Sequence, residues 1–94
     1  MSYELIVQSE AVIDIQKVFE WYEERRAGLG FEFIEEIEEG LERLSKHPQH
    51  YTAINQKYRR VVIRRFPYLI VYEIEDNKVI INSIRRASQK PKHF

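Results

Sequence analysis

The chain has 94 residues, 44 % hydrophobic and 13 % aromatic, with 15 Lys and Arg balanced by 15 Asp and Glu and no cysteine. These values describe a single globular domain over 1–94 and exclude a disordered chain, a disulfide framework and thiolate metal ligation. The N-terminal MSYELIVQSE carries an acid early and only a short apolar stretch. No apolar run approaches the roughly 20 residues that cross a bilayer, so a cytoplasmic protein without signal peptide or membrane contact is expected.

The zero net charge conceals a division. Residues 1–47 hold 12 acids and 5 bases, a net −7, and residues 48–94 hold 3 acids and 10 bases, a net +7. A basic half is an electrostatic footprint for an anionic partner. The plainer reading is acidic helices beside arginine-bearing strands.

Residues 3–8 (YELIVQ) read as a short strand of β-formers. Ser9 offers an N-cap with Glu10 in the first turn. Ala11, Ile15, Val18, Phe19 and Tyr22 then recur at helical spacing, and Gly28 and Gly30 end that helix after Arg26. A second helix is predicted over 31–46. Phe31, Ile34, Ile37, Leu41 and Leu44 form its apolar stripe, glutamates fill its other faces and Pro48 closes it. The short link makes an antiparallel hairpin.

After a polar connection over 49–57, three β-rich runs follow at 58–66, 68–74 and 79–86. Pro67 separates the first two, and Glu75-Asp76-Asn77-Lys78 turns the second into the third. The order predicts an α+β fold: an N-terminal strand, an antiparallel two-helix hairpin, then a three-stranded antiparallel β-meander.

Several of these residues carry a family likeness. They are Trp21-Tyr22-Glu23, Gly28-Leu29-Gly30, Leu44 and Pro48 in the hairpin, with Ala27 where a Pro is common. In the second half they are an Arg in the first meander strand, Phe66-Pro67-Tyr68, Ile70-x-Tyr72, a Val-x-Ile strand, and a tail ending in Pro-x-x-aromatic. The ordered set resembles the RelE/ParE toxins of type II toxin–antitoxin systems nearly end to end. The resemblance implies a ParE-like, plasmid-stabilising toxin that arrests growth until a cognate antitoxin masks it, with DNA contacted only through that antitoxin. Some members cleave mRNA on the ribosome and so inhibit translation, the target expected first here. Others inhibit DNA gyrase without being nucleases, and a third possibility is an inactivated member that only binds its antitoxin. Where nuclease members often read His-x-x-Arg-x-Pro, this chain has Arg86, Gln89 and Pro91. The usual groups for proton transfer and phosphate contact are therefore replaced.

Metal-free RNA cleavage needs a base for the 2′-hydroxyl, a cation for the phosphorus-centred charge and an acid for the leaving oxygen. Arginine suits the second task, because its planar fork grips phosphate oxygens in pairs. Arg59 and Arg86, which match the family's functional strands, are the first candidates. Strand alternation pairs Arg60 with Arg64 on one face and Arg59 with Arg65 on the other. Arg60, Arg64, Tyr72 and the tail residue Lys90 are candidates for substrate contact, Tyr72 by base stacking. Singly, each arginine also reads as sheet surface and each tyrosine as core. His93 is the acid–base candidate in the tail, and also reads as a surface residue. His47 sits where it complements a helix C-terminus. Three scattered histidines without paired carboxylates make no metal site, and no cofactor is expected. Trp21, Phe31 and Phe33 exceed what one small core holds. Trp21 and Phe33, the latter off the main stripe, are the candidates for antitoxin contact.

Overall fold

A computed structural model describes residues 3–87. In chain order it contains β1 (Glu4–Val7), α1 (Ser9–Arg25), α2 (Leu29–Lys46), a 3-10 turn (Pro48–His50), β2 (Tyr58–Val62), β3 (Tyr68–Glu75) and β4 (Lys78–Arg86). The sheet order is β1-β4-β3-β2. Strands β2, β3 and β4 form the expected antiparallel meander, while β1 joins β4 in parallel, so the sheet is mixed. The helix hairpin covers one sheet face, with α1 over β4 and α2 reaching β2.

Helix α1 starts one residue earlier than its expected cap. Gln8 is the extended N-cap without a side-chain capping bond, and Ser9 is already helical. The carbonyl of Arg26 accepts from Leu29 N at 3.0 Å, and Gly28 takes the left-handed conformation at φ 91°. That conformation is open to glycine at little cost and reverses the chain between the helices. Helix α2 therefore opens at Leu29.

The buried line of α2 is Gly30, Phe33, Ile37, Gly40 and Leu44. This corrects the expected stripe. Ile34 and Leu41 are half-buried, and Phe31 is exposed. Two glycines set the rotation. A Cβ on Gly30 would lie 2.7 Å from the Phe19 carbonyl oxygen, so α1 and α2 touch backbone to backbone there. That contact turns Phe33 into the core, where its ring meets Tyr22, Phe66 and Tyr68 at centroid distances of 5.6–5.8 Å. Burying such a ring contributes about 2–3 kcal/mol.

Strand β2 ends at Val62, not at residue 66. Ile63 N donates to Tyr68 O, and residues 64–67 form a turn in which Arg65 has φ 69°. Cross-strand partners share a face. Arg59, Val61, Tyr68, Ile70, Tyr72, Ile74, Val79, Ile81, Ile84 and Arg86 thus lie on the helix side. Tyr58, Arg60, Val62, Leu69, Val71, Glu73, Ser83 and Arg85 lie on the other. A bulge intervenes because Val71 pairs with Ser83 and Tyr72 with Ile81, which leaves Asn82 unmatched. Asp14 of α1 accepts from the Ile84 N–H at 3.0 Å and pins the helix to β4 beside that bulge.

Candidate functional site

At the open end of the α1–β4 contact, Lys17, Val18 and Trp21 from α1, Tyr68 from β3 and Arg86 from β4 line a cavity of about 270 Å³. The spacing of four residues puts Lys17, Trp21 and Arg25 in one row along α1. The Arg25 guanidinium lies 3.2 Å from the Trp21 ring centre and donates to the Trp21 carbonyl at 2.8 Å. Arg86 stands 5.7 Å over the Tyr68 ring. A stacked guanidinium keeps its N–H edge available for an anion. Tyr22 lies alongside. Burial raises its hydroxyl above the ordinary value of 10.0, neighbouring Tyr68 adds to that, and Arg86 opposes it. Lys17 was not foreseen, although its i,i+4 relation to Trp21 was readable.

The two arginines expected to act together do not meet. Arg86 is opposite Tyr68 and Arg59 opposite Tyr72, on different strands flanking β3. Strand geometry puts them about 13 Å apart along the sheet and about 10 Å across it. Arg59 is also engaged: its Nη1 donates to Tyr51 O at 2.8 Å and to Gln49 O at 3.2 Å, holding the 49–51 segment to β2. Tyr72 is fully buried, and its hydroxyl donates to Pro48 O at 2.6 Å. Its burial raises the phenol to about 12. A side chain so enclosed offers no ring face for a nucleobase, which corrects the expectation of base stacking at Tyr72.

Arg60 and Arg85 stand on the sheet face turned away from the helices, opposite Val71 and Leu69 of the intervening strand. Two positions along β3 separate them, about 7 Å, so long side chains from β2 and β4 flank the same strip of that face. Arg64 does not share this face with Arg60, because β2 has already ended. Arg64 pairs with Glu39 at 3.3 Å, and Arg65 pairs with Glu32 at 2.5 Å and Glu36 at 3.6 Å. Arg43 binds Glu39 and donates to Val62 O at 3.1 Å. The glutamates of α2 are therefore partly a clasp on the β2–β3 turn rather than a wholly solvated face.

Of the expected antitoxin contacts, Trp21 is exposed at 47 %. Phe33 is not: it is fully buried, for the reason given by Gly30. Phe31 takes the outward place at 60 % exposure, edge-on to Phe19 at 5.0 Å, with Val12 and Ile13 also exposed on α1. His47 and His50 stack at 4.9 Å at the far end of α2. Lys90 and His93, with Gln89 and Pro91, lie outside the described residues. Among the described residues no group of three or more His, Asp or Glu side chains is placed to hold a metal ion, and no helix is long and apolar enough to cross a membrane.

This architecture is shared with known proteins. The chain is similar over 93 % of its length to a structure of the chromosomal ParDE toxin–antitoxin system from P. aeruginosa, covering 98 % of that chain at 14 % identity with a TM-score of 0.81. It is also similar to a mutant of the E. coli toxin RelE in the free state, covering 94 % of this chain and 86 % of that one at 19 % identity with a TM-score of 0.70. No curated protein matches it in sequence. Residues 5–91 match the family model described as the ParE toxin of the type II toxin–antitoxin system parDE. On that match the chain belongs to the ParE toxin family of type II toxin–antitoxin systems.

Proposed function

We propose that this toxin arrests growth by binding its target rather than by cleaving RNA, that the target is DNA gyrase, and that a cognate antitoxin masks it. The observation that carries this reading is the separation of Arg59 from Arg86. One is committed to the carbonyls of Tyr51 and Gln49, and the other faces a pocket on the α1 side. Transition-state stabilisation requires donors converging on one phosphorus within about 3 Å of its oxygens, and these two do not converge. The ParE family match supports the toxin role and the antitoxin partner. Trp21, Phe31, Val12 and Ile13 supply apolar surface of the kind that a folding-on-binding segment covers.

Ribosome-dependent mRNA cleavage is the second reading. It is favoured by Arg60 and Arg85 on the sheet face turned away from the helices, where they could flank a single strand. Induced expression of the chain alone, with pulse labelling of DNA and protein synthesis, separates the two. Early failure of DNA synthesis, together with loss of gyrase supercoiling in a purified assay, is expected. Early failure of protein synthesis, relieved by Arg60→Ala with Arg85→Ala, would transfer the assignment to RNA. Normal growth with folded protein present would remove the toxin role altogether.

A further inference from the structure

The pocket at the end of β4 has a chemistry that neither target reading uses. It lies on the helix side of the sheet, away from Arg60 and Arg85. Among the described residues, neither Lys17 nor Arg86 has a carboxylate partner. By contrast Arg26, Arg43, Arg64 and Arg65 are each paired to glutamate. Two cations facing one open pocket of about 270 Å³ favour a ligand whose charge is near −2 over one of charge −1. A carboxylate or a phosphodiester brings one negative charge, whereas a phosphate monoester carries about −1.5 to −2 at pH 7. The remaining walls are aromatic and aliphatic: the exposed Trp21 indole, Tyr68 and Val18. The indole is held in place by the Arg25 stack on its ring and by the edge of Tyr22 at 5.1 Å. A flat heteroaromatic ring is what such a wall covers well.

We propose that the pocket of Lys17, Val18, Trp21, Tyr68 and Arg86 binds a nucleotide bearing a terminal phosphate monoester, with the base against Trp21 and the phosphate between Lys17 and Arg86. The ligand is either a free nucleoside monophosphate or the 5′-phosphorylated end of a strand. The site is independent of the gyrase assignment, since it is read from the purified chain alone.

Trp21 is the chain's one tryptophan, so its fluorescence reports directly on the pocket. The purified full-length chain is titrated with AMP, adenosine, cyclic AMP, phosphotyrosine, and one oligonucleotide with and without a 5′-phosphate. AMP is expected to quench saturably. Adenosine should fail, and cyclic AMP, a diester, should bind about tenfold more weakly. AMP affinity should fall several-fold between pH 7.5 and pH 5, as the phosphate monoester, with a second pKa near ~6, takes up its proton. Lys17→Gln and Arg86→Gln are each expected to weaken AMP by about tenfold, and Lys78→Gln at the opposite end of β4 to leave it unchanged. Circular dichroism checks that each variant is folded. Phosphate-dependent binding of the oligonucleotide as tight as AMP assigns a strand end, and AMP binding alone assigns the free nucleotide. The proposal is overturned by no saturable quenching up to about 10 mM AMP, by equal affinity for cyclic AMP, or by quenching that survives both Gln substitutions. Tighter binding of phosphotyrosine than of AMP would overturn the nucleotide assignment.

Discussion

The phenol of Tyr72 donates to the carbonyl oxygen of Pro48 at 2.6 Å, tying the middle of β3 to the turn that leaves α2. The bond is buried, so no water replaces it when one partner is removed. Tyr72→Phe should therefore cost about 1–3 kcal/mol, measured by urea denaturation with an unchanged m-value. The same burial sets a pH response. The folded-state phenol titrates at about 12 against an ordinary 10.0, so the folded chain holds its proton longer than the unfolded one. This contribution is full below pH 10 and is lost as pH rises toward 12. By linkage it amounts to about 2–3 kcal/mol. Phenolate absorbance and melting temperature should move together over that range, and the Phe variant should lack this component of the slope.

Phe33 and Trp21 should respond oppositely to truncation. Phe33 is fully buried among Tyr22, Phe66 and Tyr68, so Phe33→Ala should cost about 3–5 kcal/mol. Trp21 is half exposed and loses mainly the Arg25 stack, so Trp21→Ala should stay within about 1 kcal/mol of the parent. Co-purification with the cognate antitoxin should be weakened by Trp21→Ala while the melting temperature holds. Retained co-purification would take Trp21 out of the antitoxin surface.

Gly30 carries the close approach of the helices. An added Cβ would meet Glu23 Cγ at 2.6 Å, the Phe19 carbonyl oxygen at 2.7 Å and Phe19 Cδ1 at 2.8 Å. The carbonyl cannot swing aside without distorting α1. Gly30→Ala should therefore lower stability by about 1–3 kcal/mol despite alanine's better helix propensity. Gly30 N also donates to Glu23 Oε1 at 2.8 Å, a bond that separation of the helices would stretch. A neutral or stabilised Gly30→Ala variant would show that the helices have room to part.

The clasp between Glu32 and Arg65 gives an acid-side response. The Arg65 hydrogen bond lowers the Glu32 carboxyl below its ordinary 4.5; burial, the next largest effect, opposes it, and the charge and hydrogen bond of Arg26 and the charge of Arg65 add to the lowering. Its stabilisation is present above 4.5 and is lost as pH falls through the lowered folded value. Glu32→Gln should flatten this part of the acid-unfolding curve. Because the pair is at the surface, about 1 M salt, with a Debye length near 3 Å, should reduce the difference between parent and variant. A curve unchanged by the substitution would mean that other carboxylates set the acid limit.

Much of the fold was legible before any coordinates. Apolar spacing placed both helices, Gly28 placed the turn between them, and β-branched runs placed the meander. What failed did so for identifiable reasons. Glycine does not register as apolar, so the Gly30 and Gly40 contacts that rotate α2 were invisible, and Phe33 was put outside. Arg64 and Arg65 were read as strand because nothing in their identity announces a left-handed φ of 69°.

Sequence alone determined the order of elements, the charge division between the halves and the family, since these rest on local propensity and on residues in fixed succession. Only the tertiary structure decided which side chains meet. It paired the glutamates of α2 with the turn arginines, spent Arg59 on the carbonyls of Tyr51 and Gln49, and brought Lys17 and Trp21 to Arg86 across some sixty-five residues of chain. Convergence of that kind depends on strand register and helix rotation. Both are set by packing across the whole core, which no local stretch of sequence encodes.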